Sequence, residues 1–307
     1  MTSVQSGPIP FRHYLILFVL AAIWSSSFTA IKVAVVTVPP FTMTAARLVI
    51  AALILWVVLL VKGESLPKGA PIWVASFLIG FTGNSLPFTL IGWGEENISS
   101  GLASIMIAVM PLATVVLAHF FIAGERMTPM RVIGIGTGFC GILVLVGPEA
   151  LKGFGGDLWR QLAVAGGAVS YAVSAILTRN SPPAPLLGRA VLVLICASVQ
   201  MVPAAMIIDQ PWMLNPTEEA LSATVYLGVL PTAVASLIYF YIIAVRGAGF
   251  FSFINFLIPI MGVIWGAMFL GEEITAQAMI ALGVILCGLF IANFQPKAKP
   301  CQPKAKT

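Results

Sequence analysis

Few side chains in this 307-residue sequence could do chemistry, and those few lie inside long apolar stretches. Lys32, Arg47 and His119 are basic or titratable, and Asn84 and Asn255 carry amides. A charge or an unpaired amide is costly in an apolar environment, so each of these groups must meet protein, water or a ligand. The pattern indicates a binding site within apolar helices.

Enzymatic motifs are missing from the sequence. It contains no zinc-protease signature, no phosphate-binding glycine loop and no nucleophile elbow. The two histidines, His13 and His119, are far from carboxylates along the chain, so they do not form the usual metal site. Three of the four cysteines lie in apolar stretches and one in the tail, which argues against a disulfide framework. We predict no enzymatic activity, no cofactor and no metal.

The composition places the chain in a lipid bilayer. Hydrophobic residues make up 59% of the sequence and charged residues only 9%, whereas a soluble domain carries about 25% charged residues. The net charge of +5 is spread between apolar runs. It lacks the interleaving of basic and aromatic residues that a nucleic-acid groove requires, so no nucleic-acid partner is expected.

Ten apolar runs are long enough to cross a hydrocarbon core as helices. The first run is too long for a cleavable signal sequence, so we interpret it as a mature helix. The ten runs cover residues 13–36, 40–61, 70–93, 98–122, 129–147, 157–179, 186–208, 218–244, 249–270 and 276–294.

The connecting segments predict the orientation of the chain. If the amino terminus is cytoplasmic, twelve of the sixteen Lys and Arg residues fall on the cytoplasmic side and two on the external side. Because Lys and Arg set the orientation of membrane helices, both termini are predicted to be cytoplasmic. We expect a multi-pass protein of a bacterial-type inner membrane.

The sequence repeats itself after 147 or 148 residues. The best-matched pairs are Lys32 with Arg179, Gly101 with Gly249, Pro111 with Pro259 and Glu125 with Glu272. Each copy has five helices, an odd number, so the second copy enters the membrane from the opposite side. This inversion explains why Arg126 in the first copy is replaced by Glu273 in the second. We predict an all-α membrane protein with two inverted five-helix repeats around a central cavity, a design suited to alternating access.

Short motifs in both halves resemble the drug/metabolite transporter superfamily, specifically its ten-helix EamA-type exporters. They are "IWSSSFTAIK", "PPFTMTAARL" and "MPLATVVLAHFFIAGER". The resemblance extends over residues 13 to 294 and departs at Ser25, where a glycine is usual. It implies a cavity lined by helices 1, 3, 4, 6, 8 and 9, with helices 5 and 10 more peripheral. It also implies export of small metabolites, often amino acids, or of xenobiotics, with the YddG-type aromatic amino-acid exporters as the nearest branch.

We predict that aromatic, amide and flexible side chains line this cavity. The amides could instead join helices, and the methionines could instead pack in the core or face lipid. The predicted lining comprises Trp24, Ser27, Asn84, Met106, Met110, Tyr171, Tyr239, Asn255 and Trp265.

Charged residues and prolines are candidates for gates and hinges. Lys32 could snorkel to the interface, Arg47 could form a structural contact or act at the external mouth, and His119 could be a satisfied interfacial histidine or a proton or substrate group. Closely spaced glycines at 134–141 should permit tight helix packing, within the chain or between protomers. Prolines inside helices could serve as hinges, namely Pro87, Pro111, Pro231 and Pro259.

Energy coupling is predicted from the positions of the acids. All eleven Asp and Glu residues map to loops or helix ends, with Glu125 and Glu272 nearest to the helices. We therefore expect a facilitator or exchanger that moves substrate down its gradient. A proton-coupled drug or metabolite antiporter is the alternative, and a membrane pore or a structural membrane protein is the alternative of another class. The expected partners are a small-molecule substrate and the bilayer, with the chain a monomer or a weak homodimer.

The predicted organisation has five parts. A cytoplasmic segment over 1–12 precedes the first repeat at 13–147. An external linker over 148–156 leads to the second repeat at 157–294. The basic tail over 295–307 is predicted to be disordered.

Overall fold

The computed structural model describes residues 10–125, 127–146 and 156–293, with the side chains of 156 and 157 left aside. The regular elements of this described part are all helical. Nine helices there are long and apolar enough to cross a membrane, and a tenth is shorter. We number them α1 Phe11–Ala34, α2 Pro40–Val61, α3 Ala70–Glu95, α4 Ser100–Phe121, α5 Pro129–Val146, α6 Gly156–Asn180, α7 Leu186–Ile208, α8 Glu218–Phe251, α9 Ile254–Leu270 and α10 Ala276–Asn293.

Several parts of the predicted organisation lie outside the described residues. They are the start of the amino-terminal segment, Arg126, nearly all of the linker and the basic tail. The remaining helix bounds agree with the apolar runs to within two residues, with one exception: α8 ends seven residues later than predicted, at Phe251, and α9 begins five residues later, at Ile254.

The third and eighth helices are interrupted at equivalent positions, which the apolar runs did not predict. A π-helical segment covers Phe81–Ser85 in α3 and another covers Gly228–Val234 in α8. Pro87 directly follows the first segment and Pro231 lies inside the second. Proline lacks an amide hydrogen and cannot continue the regular hydrogen-bond ladder, and the wider π turn accommodates this.

Breaks also divide the fourth and eighth helices. In α4, turn residues separate Ser100–Met106 from Val109–Phe121. Proline has no N–H, so Pro111 cannot donate to the carbonyl four residues before it, and that carbonyl lies in this turn. In α8, Gly247 has a φ of 77° and a ψ of 175°, a backbone geometry available almost only to glycine. Residues 248–251 therefore form a separate piece that corresponds by the repeat to the start of α4.

The two repeats run in opposite directions, as predicted. Lys32, at the end of α1, contacts the end of α3, and Glu272 contacts the start of α4 at this same end of the bundle. The repeat partners Arg179 and Glu125 contact each other at the opposite end. We call these the Glu272 end and the Glu125 end.

Helix packing follows the same two-fold relation. α1 packs against α8 and α9, and its partner α6 packs against α3 and α4. The self-related pairs also pack together, α2 with α7 and α5 with α10. Ten apolar helices thus form two inverted five-helix repeats, and side chains of α1, α2, α3, α6 and α8 meet in the middle.

The glycines of α5 make a tight helix contact within the chain. A Cβ atom added at Gly134 would lie 2.4 Å from the backbone nitrogen of Ala292, and one at Gly288 would lie 2.4 Å from that of Gly138. Gly141 approaches the backbone of Ile285 in the same way. These small residues let the backbones of α5 and α10 touch, so the close packing foreseen for 134–141 joins the two halves of one chain.

Candidate functional site

Aromatic side chains from α1 and α8 meet near the middle of the bundle. The rings of Trp24 and Tyr239 lie 6.0 Å apart, and each lies near Phe251, at 5.9 and 4.8 Å. The indole nitrogen of Trp24 donates to the carbonyl oxygen of Pro231 at 3.1 Å, in the π segment of α8. Trp24 and Tyr239, both predicted to line a cavity, are half-buried and form one apolar surface.

Arg47 lies beside this cluster, in the interior of the bundle. Its side chain is 4% exposed, and its Nε donates to the hydroxyl of Thr232 at 2.7 Å. The guanidinium carbon lies 3.7 Å from the centre of the Phe88 ring, a cation–π contact. Phe88 in turn contacts the ring of Tyr171, with 6.4 Å between centres. Arg47 therefore joins α2, α3 and α8 next to an aromatic surface.

The two predicted amides lie at interrupted helix positions. Asn84 is half-buried within the π segment of α3, and Asn255 is half-buried one residue after α9 begins. Neither side-chain amide forms a hydrogen bond with another described residue. Amides with spare hydrogen-bonding capacity near the middle of a helix bundle suit contact with a polar ligand or water.

The remaining predicted lining residues are more enclosed or bind neighbouring helices. The indole of Trp265 donates to the hydroxyl of Ser25 at 2.9 Å and so joins α9 to α1. Ser27 donates to a carbonyl of its own helix. Met106 is 1% exposed within the core, whereas Met110, one turn further along α4, is half-buried. In this conformation Met110 is the more accessible of the two methionines.

Lys32 binds the carboxyl end of α3. Its ammonium donates to the carbonyl oxygens of Glu95 at 2.6 Å, Ile98 at 2.9 Å and Glu96 at 3.4 Å. These carbonyls carry the negative end of the helix dipole, which a cation stabilises. Lys32 thereby fastens α1 to the end of α3 rather than extending into the lipid interface.

Among the described acids, Glu95 is the one for which the premise behind the coupling prediction is wrong. It lies at a helix end, as predicted, but it is fully buried, and neither carboxylate oxygen has a hydrogen-bond partner among the described residues. Lys32 cannot serve as that partner, because its three ammonium hydrogens face three backbone carbonyls. Sequence position alone could not reveal that α1 and α6 cover this carboxyl group.

Glu272 closes one end of the bundle. Its carboxylate accepts hydrogen bonds from the amides of Ser100 at 2.6 Å and Gly101 at 2.9 Å. Free amides at the start of a helix attract anions, so Glu272 caps α4 across the repeat interface. Gly271, with a φ of 65°, provides the left-handed turn that directs the carboxylate inward.

At the opposite end, the equivalent Glu125 has other partners. Gly124 has the same left-handed turn, with a φ of 87°, but the Glu125 carboxylate accepts from Arg131 at 3.1 Å and from Arg179 at 3.2 Å. These two hydrogen bonds hold the pKa of Glu125 below its usual value, and the one from Arg131 has the larger effect. His119 is exposed and its ring nitrogen accepts from the amide of Met127 at 3.2 Å, within the same loop.

The two ends therefore differ although the sequence makes them equivalent. A Cβ atom on Gly101 would touch Glu272 and Val263, whereas one on the equivalent Gly249 would meet open space. At the Glu272 end, the amide of Thr217 donates to Thr37 at 3.1 Å and ties α8 to α1. At the Glu125 end, the corresponding junction of α3 and α6 holds a groove of about 550 Å³, lined by residues such as Pro71, Val74, Leu177 and Asn180. Sequence-equivalent residues are therefore in contact at the Glu272 end and apart at the Glu125 end.

In the described part of the chain, no group of three or more His, Cys, Asp and Glu side chains comes together. The sequence reasoning missed Phe88, Thr232, Phe251 and Glu95. The first three carried no signal, because single Phe and Thr residues in apolar helices are ordinary. Glu95 carried no local signal either, because its burial depends on how distant helices pack around it.

Comparison with known proteins gives consistent matches. Residues 12–147 and 155–294 each match the EamA-like transporter family. The Escherichia coli (strain K12) protein called "Uncharacterized inner membrane transporter YedA" is 26% identical over 289 residues, covering 94% of this chain and 92% of its own. The "Probable terminal-alkyne amino-acid exporter" of Streptantibioticus cattleyicolor is 26% identical over 272 residues, covering 88% and 89%. A solved crystal structure with 22% identity shares the fold, with a TM-score of 0.65 over 92% of this chain and 97% of its own.

Proposed function

Because this chain belongs to the EamA-like transporter family, we propose that it exports small metabolites by alternating access. The family is one of multi-pass membrane transporters and not of enzymes. One observation carries the alternating-access proposal. Glu272 contacts the start of α4 at one end of the bundle, whereas the equivalent residues Glu125 and Gly249 are apart at the other end.

The second conformation follows from exchanging the roles of the repeats. In it, Glu125 leaves Arg131 and Arg179 and caps the amides of residues 248 and 249, as Glu272 now caps Ser100 and Gly101. Arg179 moves to the end of α8, as Lys32 now binds the end of α3. The Glu272 end then opens by losing its equivalent contacts.

We place the Glu125 end in the cytoplasm, with both termini on that side, because the Lys and Arg residues of the connections favour it. The YedA relative is named an inner membrane transporter, in keeping with a bacterial-type inner membrane here. On this assignment the structure is open to the inside, the state that would load a substrate for export.

The proposed substrates are amino acids, aromatic ones among them, and related compounds or xenobiotics. The half-buried surface of Trp24 and Tyr239 suits an apolar or aromatic side chain, and Asn84 and Asn255 supply free amides. The relative named as an exporter of a terminal-alkyne amino acid supports this class. Pro87, Pro111, Pro231 and Pro259 are the proposed hinges. The first three adjoin the interruptions of α3, α4 and α8, and Pro259 lies inside α9.

For energy coupling we propose downhill facilitation or exchange. Proton-coupled antiport is a second candidate, which the buried and unpartnered carboxyl group of Glu95 favours. Imposing a pH gradient on proteoliposomes and then collapsing it with an ionophore separates the two. A change in rate of less than about twofold supports facilitation, and substrate accumulation driven by the pH gradient alone supports antiport.

We propose that the protein is a monomer or a weak homodimer. Within each chain, the two repeats, 13–147 and 157–294, move relative to each other. The α5–α10 contact joins these units inside one chain, so it does not require a second copy.

Counterflow in proteoliposomes tests the function. Vesicles preloaded with a mixture of unlabelled amino acids should take up tritiated L-phenylalanine or L-leucine only when they contain the protein. Replacing Asn84, Asn255 or Tyr239 by Ala should weaken uptake while the folded protein remains abundant. Tyr241→Ala is the matched control, because Tyr241 lies on the same helix but is 44% exposed. Normal counterflow in all three variants would reject the proposed cavity, and no flux of any compound would reject the function.

A further inference from the structure

Arg47 is a buried cation without a counter-ion in contact. Its side chain is 4% exposed, about seven residues from the start of α2, which places it about 10 Å below that end of the helix. No carboxylate of the described residues lies within ion-pair distance of its guanidinium. A cation withdrawn from water in this way is costly unless an anion or several acceptors face it, and within a membrane such a residue usually serves a function.

Three of the described acids at this end of the bundle, Asp209, Glu272 and Glu96, are engaged by other groups. Asp209 accepts from the amide of Thr42 at 2.7 Å and its hydroxyl at 2.9 Å, and Glu272 caps α4. Glu96 accepts from Arg160. Glu95 exerts a long-range attraction on Arg47 but forms no hydrogen bond with it. No carboxylate of the described residues therefore neutralises the charge of Arg47 by direct contact.

The orientation of the guanidinium is fixed from two directions. The hydroxyl of Thr232 donates to the carbonyl of Leu227 at 2.7 Å, which leaves its oxygen free to accept from Arg47 Nε at 2.7 Å. The Phe88 ring covers one face of the guanidinium at 3.7 Å. With Nε and one face held, the two terminal nitrogens remain, and they donate to no described residue. These two nitrogens form the planar fork that binds a carboxylate through two parallel hydrogen bonds.

Further aromatic side chains lie one contact away from the residues that hold Arg47. The π segment of α8 that holds Thr232 also holds Pro231, whose carbonyl accepts from the Trp24 indole. Trp24 packs against Tyr239, and Tyr171 packs against Phe88. A ligand with a carboxylate at one end and an apolar body at the other matches this arrangement of charge and aromatic rings.

We propose that Arg47 binds the carboxylate of the transported compound while Trp24 and Tyr239 contact its apolar body. The inference rests on the proposed transport function and narrows its substrates to monocarboxylates with an apolar body. A substrate ammonium group is dispensable on this view, because the described residues at Arg47 offer it no carboxylate.

Three probes of similar size test the proposal through binding alone. L-phenylalanine has both charged groups, 3-phenylpropionate has only the carboxylate, and phenethylamine has only the ammonium. With the purified protein in nanodiscs, the two carboxylates should raise the thermal midpoint and phenethylamine should bind at least about tenfold more weakly, the equivalent of losing one charge-assisted pair. Equal binding of phenethylamine and 3-phenylpropionate would overturn the proposal, as would the absence of a shift with either carboxylate.

Variants of the Arg47 site provide a second test of the proposal. Arg47→Gln should weaken 3-phenylpropionate at least about tenfold, and Arg47→Lys, which keeps the charge but loses the fork, should fall between. Thr232→Val keeps Arg47 and removes only its orienting partner, so it serves if Arg47→Gln fails to fold, and it should reduce the preference for the carboxylate. Arg189→Gln is the matched control, since Arg189 binds Ser181 and Pro182 away from the aromatic cluster.

The outcomes separate this inference from the proposed function. Counterflow of amines together with unchanged 3-phenylpropionate binding in Arg47→Gln would leave transport intact and reject the Arg47 site. Loss of all flux together with carboxylate-selective binding would reject transport and keep the site.

Discussion

Glu272 and Gly101 meet across the two repeats, the carboxylate accepting the Gly101 amide at 2.9 Å, whereas their equivalents Glu125 and Gly249 do not meet. One sequence pattern therefore has two structural outcomes in a single molecule. Because the repeats are inverted, the pair in contact and the pair that is apart lie at opposite ends of the bundle.

Weakening the closed pair should shift the protein towards opening at the Glu272 end. Glu272→Gln removes charge-assisted hydrogen bonds, each contributing about 1.5–3 kcal/mol, so the shift should reach tenfold. Cysteines at Ser100 and Gly249, introduced separately after replacing the native cysteines by Ser, would report it through maleimide labelling. Ser100→Cys should label faster and Gly249→Cys more slowly.

The opposite signs distinguish this exchange from simple unfolding, which would accelerate labelling at both positions. Glu273→Gln is the control, because Glu273 is exposed and neighbours Glu272 in sequence. Unchanged labelling in Glu272→Gln would show that the α4 cap does not set the equilibrium.

Thr37 and Thr217 offer a way to hold the Glu272 end shut. Their hydroxyl oxygens lie 3.5 Å apart, so cysteines at both positions are close enough to form a disulfide after small adjustment. We expect oxidation of the Thr37→Cys and Thr217→Cys double variant to stop counterflow and a reductant to restore it. The two single variants should be insensitive to oxidant, and continued flux through the oxidised double variant would contradict alternating access at this end.

We expect the buried carboxyl group of Glu95 to lower the free energy of unfolding. A carboxyl group that is buried without hydrogen bonds costs about 1–3 kcal/mol, so Glu95→Met, which removes the polar oxygens at a similar volume, should raise the thermal midpoint by a few degrees. Glu96→Met is the control and should give no such rise, since Glu96 is exposed and pairs with Arg160. A lower midpoint for Glu95→Met than for the wild type would show that the Glu95 carboxyl group is stabilised in the folded protein.

The sequence could predict those features of the structure that depend on residues close together in the chain. The ten apolar runs and the swap of Arg126 for Glu273 depend on segment length and nearby charge, and they predicted the ten helices and the inverted repeats. The contact of Arg47 with Thr232 joins residues 185 apart in sequence. It depends on how α2 packs against the π segment of α8, and no local pattern encodes that. The same holds for Lys32, whose partners on α3 become neighbours only when the helices associate.

Glu125 gives a prediction about pH. Because Arg131 and Arg179 lower its pKa, the folded state binds the Glu125 proton more weakly than the unfolded state does. The resulting stabilisation is present above the ordinary carboxyl value of about 4.3 and is lost as the pH falls through the lowered value. The pair is partly exposed, so the effect should stay below about 1 kcal/mol.

The measurement is the difference in thermal midpoint between the wild type and Glu125→Gln across a pH series. The wild type should be the more stable near neutral pH, and the difference should vanish in acid. Glu64→Gln, at an exposed position, should show no such trend. A difference that grows as the pH falls would contradict the Arg131 and Arg179 pairing.

The orientation of the chain in the membrane leads to the last prediction. Arg126 and Glu273 occupy equivalent places after the Gly-Glu pairs of the two repeats, and the structure puts those pairs at opposite ends of the bundle. Because Lys and Arg are retained on the cytoplasmic side, a cysteine at Arg126 should react with an impermeant maleimide only in inverted vesicles. A cysteine at Glu273 should react only in intact spheroplasts. The reverse assignment would place the open Glu125 end outside, so that the structure would present its site to external rather than cytoplasmic substrate. Reaction of both cysteines from the same side would contradict the inversion of the repeats. Neither the helix lengths nor the packing of α5 on α10 could explain such a result.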